Sequence, residues 1–513
     1  MKRDSLNFAR GVVAFAAVVL VILFAGTWLD LAAYGYPPAH LAVLGYTDAR
    51  FLADLTNRGL NQLVALSFTV VAIAVPLTAN LYSLKFLDFF IRDRINAAVL
   101  SLVVLADLVS FWTVYALKQD FIPFTLLYVS LGLLFLSLCL LFPYLLYVFR
   151  FLHPNTLLSR LEDEICQGIR AAARPGAGLR KARLNANRRV VATGIEHIAN
   201  IAVRSIERTD RATAIASVLS LERVARAYWQ EKGHLPLIWF HADPGVFEGF
   251  SSPAVADMSA KHTWVEMLLF WQLRGILSAA VPRTHDVADT AARALRHLGM
   301  SAPARADPAV RELVIDYFNT FIRLALSRHD GHTAFTLFDH YRLYAESLNA
   351  SDPGLVLQIA YYFEYYSQVA FDSGLPFLVK AAAHDLGSLV QSAYETQAPN
   401  RQKLFERFMH FDSYSGSRPL LGVKKAQAIL ASYFLGAGQL EPVEIIRRGL
   451  AGLDPALLAE MKDDLLHIQR LAYWEINERQ AHIDYVPDAQ RERLREFLDS
   501  LLASSVSPPL GNG

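Results

Sequence analysis

Four long apolar runs near the N-terminus restrict this chain more than any other feature of its sequence. Gly11 to Leu29 carries no charge between Arg10 and Asp30, Gly59 to Leu84 none between Arg58 and Lys85, and Phe121 to Phe149 none between Asp120 and Arg150. A fourth run, Ile95 to Leu117, is interrupted once, by Asp107. About 20 apolar residues in a helix suffice to cross a bilayer, because only an internally hydrogen-bonded backbone tolerates hydrocarbon. The expected fold class is therefore a membrane all-α protein with four transmembrane helices, over about 11–29, 59–84, 95–117 and 121–149. The first run follows Lys2 and Arg3 as a signal peptide would. It is longer than a usual signal core and lacks a small-x-small site before Asp30, so it reads as an uncleaved helix.

Flanking cations set the orientation. With the N-terminus in the cytosol, the inner segments carry Lys2, Arg3, Arg10, Lys85, Arg92, Arg94 and Arg150, and the outer loops only Arg50, Arg58 and Lys118. Both termini are thus expected to be cytosolic, in a multi-pass protein of a bacterial inner membrane. Trp28, Trp112 and Tyr115 then fall at the outer interface, where amphipathic rings belong.

Composition changes sharply after Arg150, where charges begin to recur every few residues. Over the whole of its 513 residues the chain is 53% hydrophobic and 19% charged, an average of two unlike parts. The expected division is a membrane domain over 1–150, a juxtamembrane helical domain over 151–260, a helical cytosolic domain over 261–503 and a disordered tail over 504–513. A net charge of +1 gives no reason to expect a nucleic-acid partner. The two cysteines, Cys139 and Cys166, cannot form a metal cluster alone, and a disulfide across the end of the Phe121–Phe149 run is not expected.

Helical periodicity starts at once, with Leu157, Leu158, Leu161, Ile165 and Ile169 on one face. Between Arg170 and Arg189 lie Arg170, Arg174, Arg180, Lys181, Arg183, Arg188 and Arg189, with no acid among them. Such a cluster near the inner leaflet attracts anionic lipid by about 1 kcal/mol per residue; the alternative is a solvated loop that only reinforces topology. Helices are expected over Val190–Ile206 and Ala212–Gln230, then a stretch of strand or loop over Gly233–Pro253. From there helical patterns dominate: Trp264–Ala280, Val287–Leu298, Ala309–Ser327, Ala334–Leu348, Gly354–Phe371, Leu375–Tyr394, Asn400–Phe411, Lys424–Leu435, Val443–Gly449, Pro455–Glu475 and Asp488–Ala503. Gly194–Ile206 faintly parallels Gly374–Leu386, mainly in apolar periodicity that any two core helices share. Helix pairs of this kind often stack into partner-binding surfaces, although no fixed short period is visible.

Few residues suggest chemistry. The chain has no GxxxxGK[ST], GxGxxG, HExxH or GxSxG pattern, which weighs against the commonest ATPase, dehydrogenase, zinc-protease and hydrolase readings. Asp107, at the centre of a span, costs about 2.5–3.5 kcal/mol on insertion scales, a penalty its many apolar neighbours outweigh. With no cation inside any span, it should face the bundle and be protonated, hydrated or hydrogen-bonded to groups such as Ser110, Thr78 or Asn80. It is either an ion or proton site or a helix–helix hydrogen bond. Four spans make a thin pore, so a channel would require a homo-oligomer.

His384-Asp385 looks like the metal-binding doublet of the all-helical HD phosphohydrolases, in which a nitrogen and an oxygen hold a metal that activates water. His340 and Asp412 are available as further ligands, though at spacings that diagnose nothing. A second doublet, His329-Asp330 with His332, shows how readily the pair arises by chance. Tyr361, Tyr362, Phe363, Tyr365 and Tyr366 form either core or a stacking platform for a ligand or partner. No catalytic residue and no cofactor is expected.

The segment Asn80-Leu-Tyr-Ser-Leu-Lys-Phe-Leu-Asp-Phe-Phe-Ile-Arg-Asp-Arg94 resembles the polar link between two spans in bacterial predicted membrane proteins of the domain of unknown function 2254 family. Arg92-Asp93 would be the counterpart of that family's Arg-Asp pair. The resemblance extends into Ile201–Ala214, where Glu207, Arg208 and Thr209 replace most of the family's Pro, Gly and Asn-rich turn, and covers about residues 60–225. It implies a membrane architecture with cytosolic helices and brings no activity. The expected function is accordingly a non-enzymatic membrane-anchored sensor or scaffold that meets a cytosolic protein partner. A homo-oligomeric channel using Asp107 and a metal phosphohydrolase using His384 and Asp385 are the alternatives.

Overall fold

The computed structural model describes residues 17, 19–32, 45–81, 90, 93–151, 153–174, 176, 181–413, 420–471, 479 and 482–506. Among these the fold is all-helical, and the only β-type pairing is an isolated bridge between Lys118 and Phe121. Contacts divide the chain into two compact units, Met1–Arg160 and Leu161–Gly513.

The first unit contains α1 (Val19–Ala32), α2 (Tyr46–Leu81), α3 (Arg94–Ala116) and α4 (Phe124–Phe151). Two of these, α3 and α4, are long and apolar enough to cross a membrane. They fall within three residues of the expected third and fourth spans. The helix α1 is shorter, and the residues before it lie outside the described set, as does most of the link from Asn80 to Arg94. The helix α2 starts 13 residues before the expected Gly59, because its packing seam does not stop at the charges. Ala49, Ala53, Thr56, Leu60, Leu63 and Ser67 are all buried at alternating spacings of four and three. The partner faces obey the same rule, with Val103, Ala106, Ser110 and Thr113 on α3 and Ser130, Ser137, Tyr144 and Phe151 on α4. Knob-into-hole packing at a 3.5-residue period follows, with small and hydroxyl side chains letting the backbones approach where lipid supplies no hydrophobic drive. The opposite faces leave Phe111, Tyr115, Phe135, Phe142 and Phe149 exposed, more apolar surface than water-facing helices carry.

Two acidic side chains fasten this unit at its ends. Asp30, at the end of α1, is buried and accepts from the backbone N–H of Thr125 (2.8 Å) and Leu126 (3.3 Å), so it caps α4 from another helix. Asp93 caps α3 through the N–H groups of Ile95 (3.0 Å) and Asn96 (3.1 Å) and pairs with Arg160 at 3.3 Å. Burial works against the Asp93 carboxylate, yet hydrogen bonds from Tyr147, from the Asn96 N–H and from Arg160 hold it below the usual range.

The second unit is a stack of helical hairpins in two rows. The first row runs α6 (Lys181–Glu207), α9 (Trp264–Ala280), α12 (Pro308–Ser327), α14 (Pro353–Asp372) and α16 (Arg401–Met409), each packed on the next. The second runs α7 (Arg211–Glu231), α10 (His285–Met300), α13 (Gly331–Leu348), α15 (Pro376–Glu395), α17 (Leu421–Gly436) and α20 (Asp488–Val506). Around them lie α5 (Pro154–Ala173, which starts in the first unit), α8 (Ser252–Ala260), α11 (Ala302–Ala306), α18 (Leu440–Leu450) and α19 (Pro455–His467).

Most expected helices stand within three residues of their observed ends. Gly233–Pro253 is neither strand nor plain loop: it includes a short 3-10 turn at Leu237–Phe240 that buries Trp239 against Trp264. The helix begun at Pro455 ends at His467 rather than Glu475. The described part of the tail, Ser504–Val506, completes α20, and the rest lies outside the described residues.

The parallel between Gly194–Ile206 and Gly374–Leu386 places one segment in the first row and the other largely in the second, so it marks no duplication. A different pair does occupy equivalent places. Arg208-Thr-Asp-Arg-Ala-Thr-Ala214 and Arg328-His-Asp-Gly-His-Thr-Ala334 join α6 to α7 and α12 to α13. Thr209 and His329 take left-handed φ values of 60° and 51°, and Asp210 and Asp330 cap the next helix at the N–H of Thr213 and Thr333.

Close packing between the rows depends on Gly299, where a Cβ would lie 2.8 Å from Tyr344 Cε2 and 2.9 Å from Val314 Cγ1. Both neighbours are fully buried. Gly299→Ala is expected to destabilise the unit by about 1–3 kcal/mol. Gly275→Ala, at an exposed helix position with open space around it, should stabilise by about 0.5–1 kcal/mol. Urea melts of both variants would show opposite shifts if the packing is as described.

Candidate functional site

Three second-row helices bring charge together where a hydrophobic stack would not need it. Asp339, Arg342 and Glu346 share a face of α13, Lys380, His384 and Asp385 project from α15, and Lys425 stands on α17. Arg479 and the segment 482–487 complete the wall of a cavity of about 330 Å³, with Ser388, Gln391 and Gln490 as neutral polar groups and Ile429, Leu430 and Ile483 as its apolar side.

Asp385 is 3% exposed, so its charge must be met. Arg479 meets it with both Nη atoms, at 2.7 Å and 3.0 Å, and Arg342 Nε lies 3.4 Å away. Arg342 also reaches Asp339 and Glu346, each at 2.6 Å. The Arg479 guanidinium lies 3.9 Å from the centre of the Phe335 ring and donates to the Phe335 carbonyl, while its Nε is buried and unpartnered. Burial would drive the proton from Arg342, but Asp385, Glu346 and Asp339 raise it above the ordinary arginine value. Burial pushes the Glu346 carboxyl up, while Arg479 and Arg342 hold Asp339 down against the same burial.

Beside this cluster Asp484, also nearly buried, lies 3.1 Å from His384 Nε2 and 3.9 Å from Lys425 Nζ, and accepts from Lys380. Burial opposes its ionisation, but His384 and Lys380 hold its carboxyl well below the usual range. A depressed carboxylate contributes stability that is present above its unfolded pKa of about 3.9 and lost as the pH falls through the folded value. Asp484→Asn should therefore be less stable than wild type at neutral pH, with the gap closing below about pH 4. Thermal melts of both proteins between pH 7 and pH 3 would show this convergence, and a gap independent of pH would remove the assignment.

The charge pairing continues along the row. Glu222 on α7 lies 3.4 Å from His297 on α10, and Asp289 on α10 lies 3.0 Å from His340 on α13. Arg342 to Asp385 bridges α13 to α15, and Asp484 joins α15 to α17. Every step from α7 to α17 thus has an acid–base contact, and Arg211 on α7 also lies 3.7 Å from Asp286 on α10. The two histidine pairs carry charge only when protonated, and burial lowers the His297 pKa.

His384 and Asp385 line the same cavity, each already engaged as described. Among the described residues no group of three metal-ligating side chains gathers. His340 is held by Asp289, Asp412 by Lys424 at 3.0 Å, and His329 serves the α12–α13 turn. Of the basic residues, Arg170, Arg174, Lys181, Arg183 and Arg189 are exposed, and Arg180 lies outside the described set. Arg188 is half-buried, its guanidinium 5.8 Å from the Trp264 ring, and burial lowers its pKa despite Asp243.

Asp107 is half-buried on α3, and its Oδ1 and the Oγ of Ser110, one turn on, are both buried without a partner. The side chain of Asn80 lies outside the described residues, as does that of Thr78. Sequence reasoning missed Arg479, Arg342 and Asp484. Arg479–Asp385 and Lys380–Asp484 join positions 94 and 104 residues apart, and Arg342 reaches Asp385 from another helix, so no local pattern announces the cluster.

Residues 3–192 match the model of a family described as "Predicted membrane protein (DUF2254)". The match takes in the membrane segment and its link and stops short of Ile201–Ala214. No curated protein matches. A solved structure described as "Circular tandem repeat protein with novel repeat topology and enhanced subunit contact surfaces" is similar at 13% identity, covering 90% of this chain and 97% of that one. Its TM-score is 0.35, too low to bear on the fold.

Proposed function

We propose, for a chain whose residues 3–192 match the DUF2254 family of predicted membrane proteins, that it is a membrane-anchored sensor or scaffold acting through its helical stack. The observation that carries this reading is the charged cavity beside α13, α15 and α17, of a size that small ligands occupy. Its charges are fixed by mutual pairing, so a ligand or peptide carboxylate that competes for Arg479 or Arg342 would change how neighbouring helices are bridged. The same arrangement disfavours a metal phosphohydrolase on His384 and Asp385, because both oxygens of Asp385 already accept from Arg479.

The proposal places the anchor in a bacterial inner membrane as four spans with both termini cytosolic. The exposed cations Arg170, Arg174, Lys181, Arg183 and Arg189 contact anionic lipid, and a cytosolic protein partner engages the stack. A photo-reactive residue at Ser388, which lines the cavity, should yield a cross-linked species of discrete mass in cells. The same residue at Glu444, on α18, should yield none. Equal adducts at both positions, or none at either, would remove the reading.

A second reading has its own support. The orphaned Asp107 Oδ1 and Ser110 Oγ favour a homo-oligomeric ion pathway, tested below by flux.

A further inference from the structure

The tyrosine cluster left open between core and platform divides between the two. Phe363 and Tyr366 are buried, whereas Tyr361 and Tyr365 are 50% and 47% exposed. With Tyr362 they form one wall of a groove of about 380 Å³, within the size range of small-ligand pockets. The opposite wall belongs to α12, where Asp316, Asn319 and Arg323 recur at helical spacing and face the tyrosines. Thr320 lies among them. Among the described residues no aliphatic side chain contributes.

The hydrogen-bonding capacity of this groove is mixed. Gln358 donates to the Tyr362 hydroxyl (3.1 Å), which leaves that O–H free to donate onward. Asn319 Oδ1 accepts from Tyr341 (3.3 Å), which leaves its two amide hydrogens. Arg323 spends part of its fork on the Tyr366 hydroxyl. Asp316 offers only acceptors, in a place crowded by protein atoms and by Glu312, which together raise its carboxyl. Arg407 lies 5.6 Å from the Tyr361 ring and supports it from the α16 side.

We propose that the groove between α12 and α14 binds a carbohydrate, a hydroxylated six-membered ring stacked on Tyr361 and Tyr365 and hydrogen-bonded by Asp316, Asn319 and Arg323. Each sugar hydroxyl is both donor and acceptor, so it can satisfy a planar carboxylate and a guanidinium in turn. The C–H face of the ring covers the exposed aromatic surface. A proline-rich strand also docks on aromatic ridges, but its prolines offer carbonyl acceptors and no N–H donor. It would cover Asp316 without a partner. This inference stands apart from the cavity on the second row and does not depend on it.

The test is saturation-transfer NMR on the full-length protein in nanodiscs, with methyl α-glucoside, N-acetylglucosamine and maltotriose as separate probes and a proline decamer as the competing class. Saturation is expected on the ring C–H protons of at least one sugar. The double variant Tyr361→Leu/Tyr365→Leu should weaken that binding by on the order of tenfold, with the melting temperature held because both side chains are exposed. Asp316→Ala should weaken it independently while leaving the aromatic wall intact. The proposal falls if none of the three sugars saturates, if the signal survives in the double variant, or if the proline decamer binds and the sugars do not.

Discussion

Asp385→Ala is expected to lower the stability of the helical unit by about 3–5 kcal/mol, the usual cost of removing one member of a buried ion cluster. The loss exceeds that of the hydrogen bonds themselves, because Arg479 stays behind, its side chain 10% exposed, without the carboxylate that accepted from both its Nη atoms, while Arg342 keeps Asp339 and Glu346. Arg479→Met should cost less, since Asp385 keeps Arg342 within 3.4 Å. The combination Asp385→Leu/Arg479→Met should recover much of the loss, as apolar replacement of buried pairs often does. Urea unfolding of wild type, Asp385→Leu, Arg479→Met and their combination completes a double-mutant cycle, in which a coupling below about 0.5 kcal/mol would show the residues to be independent.

The second large effect is expected at Asp107, where stability and function should move in opposite directions. Asp107→Leu removes a residue that costs about 2.5–3.5 kcal/mol at a span centre and adds one that gains about 0.3–0.6. If the carboxylate lines an ion pathway, this variant should be more resistant to denaturation than wild type and carry no ion current. Asp107→Asn should abolish the current or change its selectivity. If Asp107 serves instead as a hydrogen-bonding contact between helices, Asp107→Leu should weaken the bundle. Ion flux into liposomes containing wild type, Asp107→Asn and Asp107→Leu, together with melting of each protein, separates the two. An absence of flux from folded, correctly inserted wild type at several pH values would leave the sensor or scaffold reading alone.

How far the fold can be read from the residues depends on the range of the interaction that decides each element. Trp264–Ala280 was legible to the residue, because apolar periodicity and a clean break at Pro282 are local facts. The start of α2 was not: Asp48, Arg50, Asp54 and Arg58 look like the end of a span, yet Ala49, Ala53 and Thr56 keep the buried seam in register through them. The basic stretch after Arg180 reads as a lipid-facing cluster or a solvated loop; it forms the opening turns of α6, which leave Lys181, Arg183 and Arg189 exposed while Arg188 lies half-buried beside Trp264. At the cavity, the adjacency of His384 and Asp385 was plain. What each does is fixed by Asp484 and Arg479, which are distant in sequence. The tyrosine cluster illustrates the same limit on a smaller scale, since helical rotation alone sends Tyr366 inward and Tyr365 out.

The two rows of helices also have a mechanical meaning. Each hairpin rests mainly on its neighbours, so small changes of angle at successive interfaces add in series, as deflections do along a coil spring. The acid–base contacts from Arg211 to Lys425 then act as the spring's stiffness, one set per joint. Raising the salt concentration loosens the exposed contacts and spares the buried ones, so compliance would rise first at the α7–α10 joint, where Arg211 and Asp286 are open to water, and last around Asp385 and Asp484.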